Sequence, residues 1–164
     1  MSQPVPPPGN PFADGAAPAP APYPAPPVPA RSHLGLGIAA ALVAALVAGI
    51  VYGVIAGEIE REIGWAAIGV GFLAGFAAGK AGGGPNRILQ VAAAVFSLGG
   101  VYLGQLVALA LIAGKELKMP FMEVFFQNFD VLVQAWNEGK DIMTILFFVL
   151  AGVGAFAGVR KADG

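Results

Sequence analysis

The sequence predicts an all-α membrane protein with four transmembrane helices in two hairpins, plus one amphipathic helix at the membrane interface. Three observations support this fold class. Hydrophobic residues make up 57% of the 164-residue chain and charged residues 12%, a balance too apolar for an ordinary soluble domain. Four apolar stretches approach or exceed the length that crosses a hydrocarbon core of about 30 Å. Each of them carries glycines four residues apart, a spacing typical of helices that pack closely in membranes.

Composition also narrows the function. The formal net charge is −1 and the basic residues do not cluster, whereas binding to nucleic-acid phosphates requires a basic patch. The chain has no cysteine, so it can form neither a disulfide nor a thiolate metal site. We therefore predict no nucleic-acid partner, no metal site and no cofactor.

Residues 1–30 differ from the rest of the chain, because most of its 14 prolines lie there, mixed mainly with alanine. Proline removes backbone donors and fixes φ near the polyproline II value, so we predict a disordered, extended tail. The segment lacks the charged and apolar regions of a cleavable signal, and we expect it to be retained. It is a solvated spacer or, alternatively, the ligand of a partner that recognises proline-rich segments.

The membrane domain, residues 31–164, follows the tail. Its predicted spans are residues 34–55, 65–80, 88–113 and 142–159. An acidic connection joins the first two spans, and a glycine-rich turn joins the next two. Residues four apart share one face of a helix, so the glycines form smooth faces for another backbone. The predicted helix-packing positions are Gly49, Gly53, Gly57, Gly71, Gly75, Gly79, Gly100, Gly104, Gly154 and Gly158.

Gln105 is the polar residue of greatest interest, because it lies within the third predicted span. An amide at membrane depth needs a hydrogen-bond partner and tends to face the bundle interior. We interpret Gln105 as an intramembrane polar contact. A place on a transport path is the alternative.

The sequence predicts one amphipathic helix over residues 120–137. Pro120 suits a first helical turn, where its missing N–H costs nothing. Large apolar side chains recur on one face and polar residues lie largely elsewhere, so the helix should lie at the membrane interface or over the ends of the spans. Its aromatic face either covers the bundle or docks a partner protein. The residues of that face are Phe121, Phe125, Phe129 and Trp136.

The two halves of the membrane domain resemble each other. A Val-Tyr pair occurs in the first and third spans, at Tyr52 and Tyr102. The second and fourth spans share a Leu-Ala-Gly run and end at a basic residue. A parallel internal repeat with a pseudo-axis along the membrane normal explains this likeness, and so does a shared glycine- and alanine-rich composition.

The basic residues give a preference for orientation. They divide almost evenly between the two sides of the predicted bundle, but the loops opposite the termini are acidic on balance. Basic residues on the side of the termini also lie close to the ends of the spans. By the positive-inside rule, we predict that both termini lie in the cytoplasm.

Three further motifs stand out along the chain. They are Pro6-Pro7-Pro8-Gly9-Asn10-Pro11-Phe12, then Glu62-Ile63-Gly64-Trp65 leading to the Gly79-Lys80 turn, and Lys118-Met119-Pro120-Phe121. In these motifs the chain resembles a group of small actinobacterial four-span membrane proteins with a proline-rich N-terminal tail. The resemblance covers most of the chain and implies a multi-pass protein of a Gram-positive plasma membrane. It implies no assigned activity and no catalytic residue.

The predicted function follows from these features. The sequence shows no nucleophile–base pair and no cluster of metal ligands, so we predict that the protein is not an enzyme. We predict a scaffold or accessory subunit of a membrane assembly, surrounded by the lipid bilayer, with a protein partner on the tail or on the aromatic helix. The alternative is a small pore or permease built as a homo-oligomer through the glycine faces. Spans with almost no ionisable residues favour the first class, because transport paths usually contain them.

Overall fold

The computed structural model describes residues 33–61 and 63–163, so the predicted tail, residues 1–30, lies outside the described residues. Within those ranges the regular structure is helical, with no strand. Four helices are long and apolar enough to span a membrane, which confirms the prediction of an all-α protein with four candidate spans. In chain order the elements are α1 (Leu34–Ile59), α2 (Gly64–Gly82), α3 (Arg87–Leu117), a π-helical turn (Glu123–Gln127), α4 (Phe129–Gly139) and α5 (Ile142–Lys161).

Three of the long helices end at residues in the left-handed region. Gly83 follows α2 with φ of 86°, a conformation that glycine adopts without strain. Glu60 and Lys118 follow α1 and α3 with φ of 54° and 56°, which costs a residue with a side chain about 1–2 kcal/mol. At all three positions the backbone N–H donates to a carbonyl of the preceding turn. The left-handed residue Lys118 ends α3 after Leu117, which lies beyond the predicted boundary at residue 113.

Side chains cap the starts of α3 and α5. The Oδ1 atom of Asn86 accepts a hydrogen bond from the backbone N–H of Ile88 at 2.7 Å. Asp141 accepts from the backbone N–H of Thr144 at 3.0 Å, and Thr144 Oγ1 accepts from the backbone N–H of Asp141 at 3.3 Å. This reciprocal capping box satisfies two N–H groups that the helix leaves unpaired and fixes the start of α5.

The four long helices are arranged as a rhombus. The most extensive contacts join α1 to α3 and α2 to α5, and the helices of each pair run parallel. Helix α2 also contacts α3 across the short diagonal, whereas the backbones of α1 and α5 do not approach each other closely within the described residues. The remaining contacts are between α1 and α2 and between α3 and α5. Contact across the short diagonal fills the centre of the bundle.

The α1–α3 seam, the line along which these two helices touch, is built from glycine. A Cβ atom added to Gly49 would overlap the carbonyl oxygen of Gly100, and one added to Gly53 would overlap that of Gly104. The approach is reciprocal, because Gly104 in turn faces the backbone of Gly49. Gly57 continues the seam toward the end of α1. Backbones this close leave no room for a side chain.

The α2–α5 seam uses the same material. Gly71 and Gly75 of α2 face the carbonyl oxygens of Ala151 and Ala155 on α5. Two glycines of α5 face the backbone of α2 in the same way, Gly154 against Ile68 and Gly158 against Phe72. At the end of α2, Gly79 faces Val159 of α5. All ten predicted helix-packing glycines therefore lie on one of the two seams.

A buried serine links α3 to the second seam. Ser97 is fully buried, and its hydroxyl donates to the carbonyl of Ala94 at 2.8 Å. The same oxygen lies 3.4 Å from the carbonyl oxygen of Ala151 on α5. The hydroxyl can therefore be shared between its own helix and α5.

Residues 119–139 form a shoulder that packs along the side of α3. After the left-handed residue Lys118, the chain turns back and runs antiparallel to α3. Val124 lies beside Gly114 near the end of α3, and Trp136 lies edge-on to Tyr102, with ring centroids 4.8 Å apart. The shoulder thus descends along α3 rather than extending away from it.

The shoulder contains two helical segments where the sequence predicts one continuous helix over 120–137. The π-helical turn ends at Gln127, and Nδ2 of the next residue, Asn128, donates to the carbonyl of Glu123 at 3.3 Å. A π turn adds a residue to the helical repeat, so the residues that follow are rotated about the helix axis. This rotation accompanies the contact of Trp136 with α3.

Candidate functional site

The candidate site is organised around Gln105 of α3, which is 5% exposed. Its Oε1 atom accepts a hydrogen bond from the indole Nε1–H of Trp136 at 2.7 Å. The sequence indicates that the amide needs a partner, and the structure supplies one from α4 rather than from another span. No signal in the sequence pairs Gln105 with Trp136, because the contact depends on the path of the shoulder.

The orientation of the amide follows from the chemistry of the indole. An indole N–H only donates, so the oxygen of Gln105 must face Trp136 and the nitrogen must point elsewhere. The Nε2 atom is buried and has no hydrogen-bond partner among the described residues. A buried donor without a partner costs about 1–3 kcal/mol. Among the described residues, the amide oxygen of Gln105 therefore has a hydrogen-bond partner and its amide nitrogen has none.

Aromatic and cationic neighbours hold Trp136 in place. Its ring lies edge-on to Tyr102, and the ring of Phe148 on α5 lies at a centroid distance of 6.2 Å. The Nζ atom of Lys140 lies 5.5 Å from the centroid of the indole, within the range of a cation–π interaction. Contacts to two helices and one cation fix the indole that in turn fixes the amide of Gln105.

Gln105 and Trp136 line a cavity of about 160 Å³ between α1, α3, α4 and the start of α5. Part of the wall is apolar and comes from alanine, leucine and isoleucine side chains. The other polar or charged side chains of the wall are Tyr52, Glu60, Arg61, Lys140 and Thr144. The cavity therefore mixes apolar side chains with the buried polar groups of Tyr52, Gln105 and Thr144, and its charged lining residues are exposed.

The aromatic residues predicted for one surface take different positions. Trp136 faces the bundle. Phe121 and Phe125 are half-buried and stack on each other, with centroids 5.3 Å apart. Phe129 is 43% exposed, and its neighbour Phe126 is 65% exposed. The shoulder thus covers α3 with some of its aromatic side chains and leaves others on the outside.

An ion pair joins the ends of α1 and α3. Lys115 Nζ lies 3.1 Å from Glu58 Oε2, and it also donates to the backbone carbonyl of Gly57 at 3.3 Å. Both side chains are largely exposed, and exposed pairs contribute about 0–1 kcal/mol. The contact positions the helix ends but adds little stability.

Comparison with known proteins supplies no relative for this chain. No family model matches it, and no curated protein or solved structure matches it significantly. Within residues 33–61 and 63–163, no three metal-ligating side chains gather at one place. The function is therefore argued from the geometry of the bundle and of the Gln105 cavity.

Proposed function

We propose that the protein is a non-enzymatic integral membrane protein that acts as a scaffold or accessory subunit of a membrane assembly. The observation that carries this proposal is the use of the glycine faces inside one chain. Gly49 and Gly53 face α3, and Gly71 and Gly75 face α5, so the small-residue faces are occupied without a second copy. What remains for other molecules is the apolar outer surface and the exposed part of the shoulder.

The packing of the bundle favours this proposal over a pore or permease. A homo-oligomer built through the glycine faces needs those faces to be free, and here they meet backbone of the same chain. A path through one copy needs space between the spans, and α2 contacts α3 across the short diagonal. Both observations oppose transport through the described part of the chain.

The shoulder supports a docking role through its outward side chains. Phe126 and Phe129 are exposed, together with Met122 and Val131. Exposed apolar patches of this kind mark contacts with lipid or with other proteins. We propose that a membrane-embedded partner docks here or on the proline-rich tail.

We further propose that the two hairpins, α1–α2 and α3–α5, are parallel repeats. The pairing of α1 with α3 and of α2 with α5 supports this arrangement, since each pair joins the corresponding spans of the two halves. An axis along the membrane normal would relate such halves. The contact between α2 and α3, which has no counterpart between α1 and α5, makes the relation approximate.

We propose the plasma membrane as the location, with both termini in the cytoplasm. Lys80, Arg87 and Arg160 lie near one end of the bundle, while Glu58 near the end of α1 and Glu138 near the end of α4 lie toward the other. The positive-inside rule places the more basic end in the cytoplasm. Because the chain has no cysteine, single substitutions report orientation directly.

The orientation test compares Glu138→Cys with Asp163→Cys in intact cells treated with a membrane-impermeant maleimide. We expect labelling at position 138 and none at position 163 until the cells are lysed. Labelling at position 163 alone would reverse the proposed orientation.

The test of the scaffold proposal is crosslinking and purification of the full-length protein from native membranes. A variant lacking residues 1–30 and a Phe126→Ser/Phe129→Ser variant are purified beside it. Trp65→Ser is the matched control, since Trp65 is 80% exposed on α2. We expect a stoichiometric partner to be lost from one of the first two variants and retained by the control.

Reconstitution in liposomes tests the alternative. The scaffold proposal expects no ion or solute flux above that of empty liposomes. Flux that Gln105→Leu alters, together with no retained partner, would replace the scaffold with a pore or permease.

A further inference from the structure

An open groove on α5 has features of a binding site that the scaffold proposal does not use. It measures about 440 Å³, within the roughly 300–1,000 Å³ of pockets that hold small ligands. Its lining residues are Val149, Gly152, Val153, Phe156, Ala157 and Arg160. Nothing lies within 4 Å of a Cβ atom added to Gly152, so no described residue of the chain fills the groove there.

The groove is apolar along its length and charged at one end. Val149 and Val153 are 56% and 61% exposed, and Phe156 is 39% exposed, so the apolar walls face outward from the bundle. Arg160 is exposed at the end of the groove, and its guanidinium forms no ion pair with a described residue. A ligand that fits therefore has a long apolar part with an anionic group at one end.

The length of the groove matches one leaflet of a bilayer. Helix α5 is a candidate span that ends at Lys161, the residue after Arg160. From Arg160 back to Val149, near the middle of α5, a helix rises about 16 Å. Half of a hydrocarbon core of about 30 Å is about 15 Å. When α5 spans a membrane, the groove therefore runs from the membrane surface to the bilayer centre, as a lipid acyl chain does.

The fold gathers basic side chains at the same end of the bundle. There, Gly79 of α2 faces Val159 of α5, and Gly82 of α2 faces the side chain of Leu89 near the start of α3. Basic residues that lie far apart in the sequence therefore share this end, and among the described residues only Asp163 there is acidic. The basic residues are Lys80, Arg87, Arg160 and Lys161. Such an excess of positive charge attracts anions.

We propose that an anionic phospholipid binds this groove, with one acyl chain against Val149 and Phe156 and with its phosphate beside Arg160. Basic residues at the ends of membrane spans recognise anionic headgroups in this way. A second copy of the chain fits less well, because a parallel pair joined through the groove brings two Arg160 side chains together. The inference rests on the proposed membrane location but not on the scaffold role, so loss or retention of a protein partner leaves it unchanged.

The test is mass spectrometry of the intact full-length protein released from neutral detergent micelles. Palmitoyl-oleoyl phosphatidylglycerol and the phosphatidylcholine with the same chains are titrated separately. We expect saturable binding of the phosphatidylglycerol, about fivefold tighter than that of the phosphatidylcholine, which is the effect of a single basic residue at a membrane surface. Equal affinity for the two lipids would overturn the proposal.

Arg160→Gln tests the charged end of the groove. It should weaken binding of phosphatidylglycerol about fivefold and leave binding of phosphatidylcholine unchanged. Arg87→Gln is the matched control, because Arg87 is an exposed basic residue at the same end of the bundle but does not line the groove. It should bind nearly like the parent protein. An equal loss in both variants would assign binding to diffuse positive charge and not to the groove.

Gly152→Leu tests the apolar part. Because the space beside Gly152 is open, the added side chain should fill the groove without disturbing the bundle, and it should weaken binding of phosphatidylglycerol at least as much as Arg160→Gln. Gly69→Leu is the control, since the space beside Gly69 of α2 is equally open. Equal binding by the two leucine variants would contradict the groove site. So would a dimer that Gly152→Leu abolishes, because a second copy would then cover the groove.

Discussion

The α2–α5 seam and the contact between the shoulder and α3 both hold helical segments together, but they use side chains of opposite size. The seam uses glycine and alanine, and the shoulder uses large aromatic residues. In the seam, Gly71 and Gly75 bring backbone against backbone. In the shoulder, Phe125 and Trp136 fill the space beside α3 with aromatic rings. Close backbone contact leaves no gap, whereas large rings of fixed shape leave the cavity beside Gln105.

This difference shows which part of the molecule tolerates change. A seam of glycines has no side chain that can move aside, so added atoms must push whole helices apart. The shoulder can lose a ring and repack, but its buried polar atoms depend on one another. The seams therefore set the architecture, and the shoulder holds the candidate site.

The largest expected effect is at a seam. Gly75→Leu places a side chain against the backbone of Ala155, and we expect a loss of about 3 kcal/mol, the upper end of the range for overpacking. Thermal unfolding in detergent measures the loss. Gly69→Ala is the control on the same helix, because nothing lies within 4 Å of an added Cβ there, and its stability should stay equal or rise.

An unchanged melting temperature for Gly75→Leu would contradict the seam. It would mean that this face of α2 meets lipid or another copy, and it would restore the homo-oligomer as a working hypothesis.

The next effect is at the shoulder. Trp136→Phe keeps an aromatic ring but removes the indole N–H, so Gln105 is left with no partner for its oxygen. We expect a loss of about 2 kcal/mol, the cost of a buried unpaired polar group. The double variant Trp136→Phe/Gln105→Leu removes both polar groups and should be more stable than Trp136→Phe alone. The reverse order in thermal unfolding would mean that the hydrogen bond at 2.7 Å does not form.

A smaller effect is expected where α3 meets the second seam. Ser97→Ala removes a hydroxyl that lies 3.4 Å from the carbonyl oxygen of Ala151 and keeps nearly the same volume. Hydrogen bonds between membrane helices contribute about 0.6 kcal/mol on average. A loss near that size in thermal unfolding fits the weak geometry, and a loss as large as that of Gly75→Leu would show that Ser97, not glycine, holds the helices together.

The smallest effect is expected at the exposed ion pair. Lys115→Gln breaks the 3.1 Å contact with Glu58, and we expect a loss of about 0.5 kcal/mol or less. The loss should disappear at high salt, because ions screen exposed charges. A loss that salt does not reduce would assign it to the hydrogen bond with the Gly57 carbonyl instead.

The number and type of helices could be predicted from the sequence, because hydropathy and glycine spacing are local properties. Which glycine faces meet could not, since Gly49 has the same spacing pattern as Gly71 but packs against a different helix. The end of α3 could not be predicted either, because it is set by Lys118 in a left-handed conformation that residues with a side chain disfavour.

The candidate site could be predicted only in part. Burial and the need for a partner follow from placing Gln105 in an apolar span. The pairing with Trp136 joins residues 31 positions apart, and the helix of the shoulder is broken at Asn128 before it reaches Trp136. A continuous amphipathic helix, which is what the periodicity predicts, would not contain that break.

The pairing of the spans has a consequence for biosynthesis. The seam partners of α1 and α2 are α3 and α5, which leave the ribosome later. During insertion, the helix faces that contain Gly49 and Gly71 are exposed to lipid until α3 and α5 have been inserted. The first hairpin is therefore an insertion intermediate whose two glycine faces are unpaired. A nascent chain that stalls before α3 exposes both faces, which can then pack against the helices of other membrane proteins.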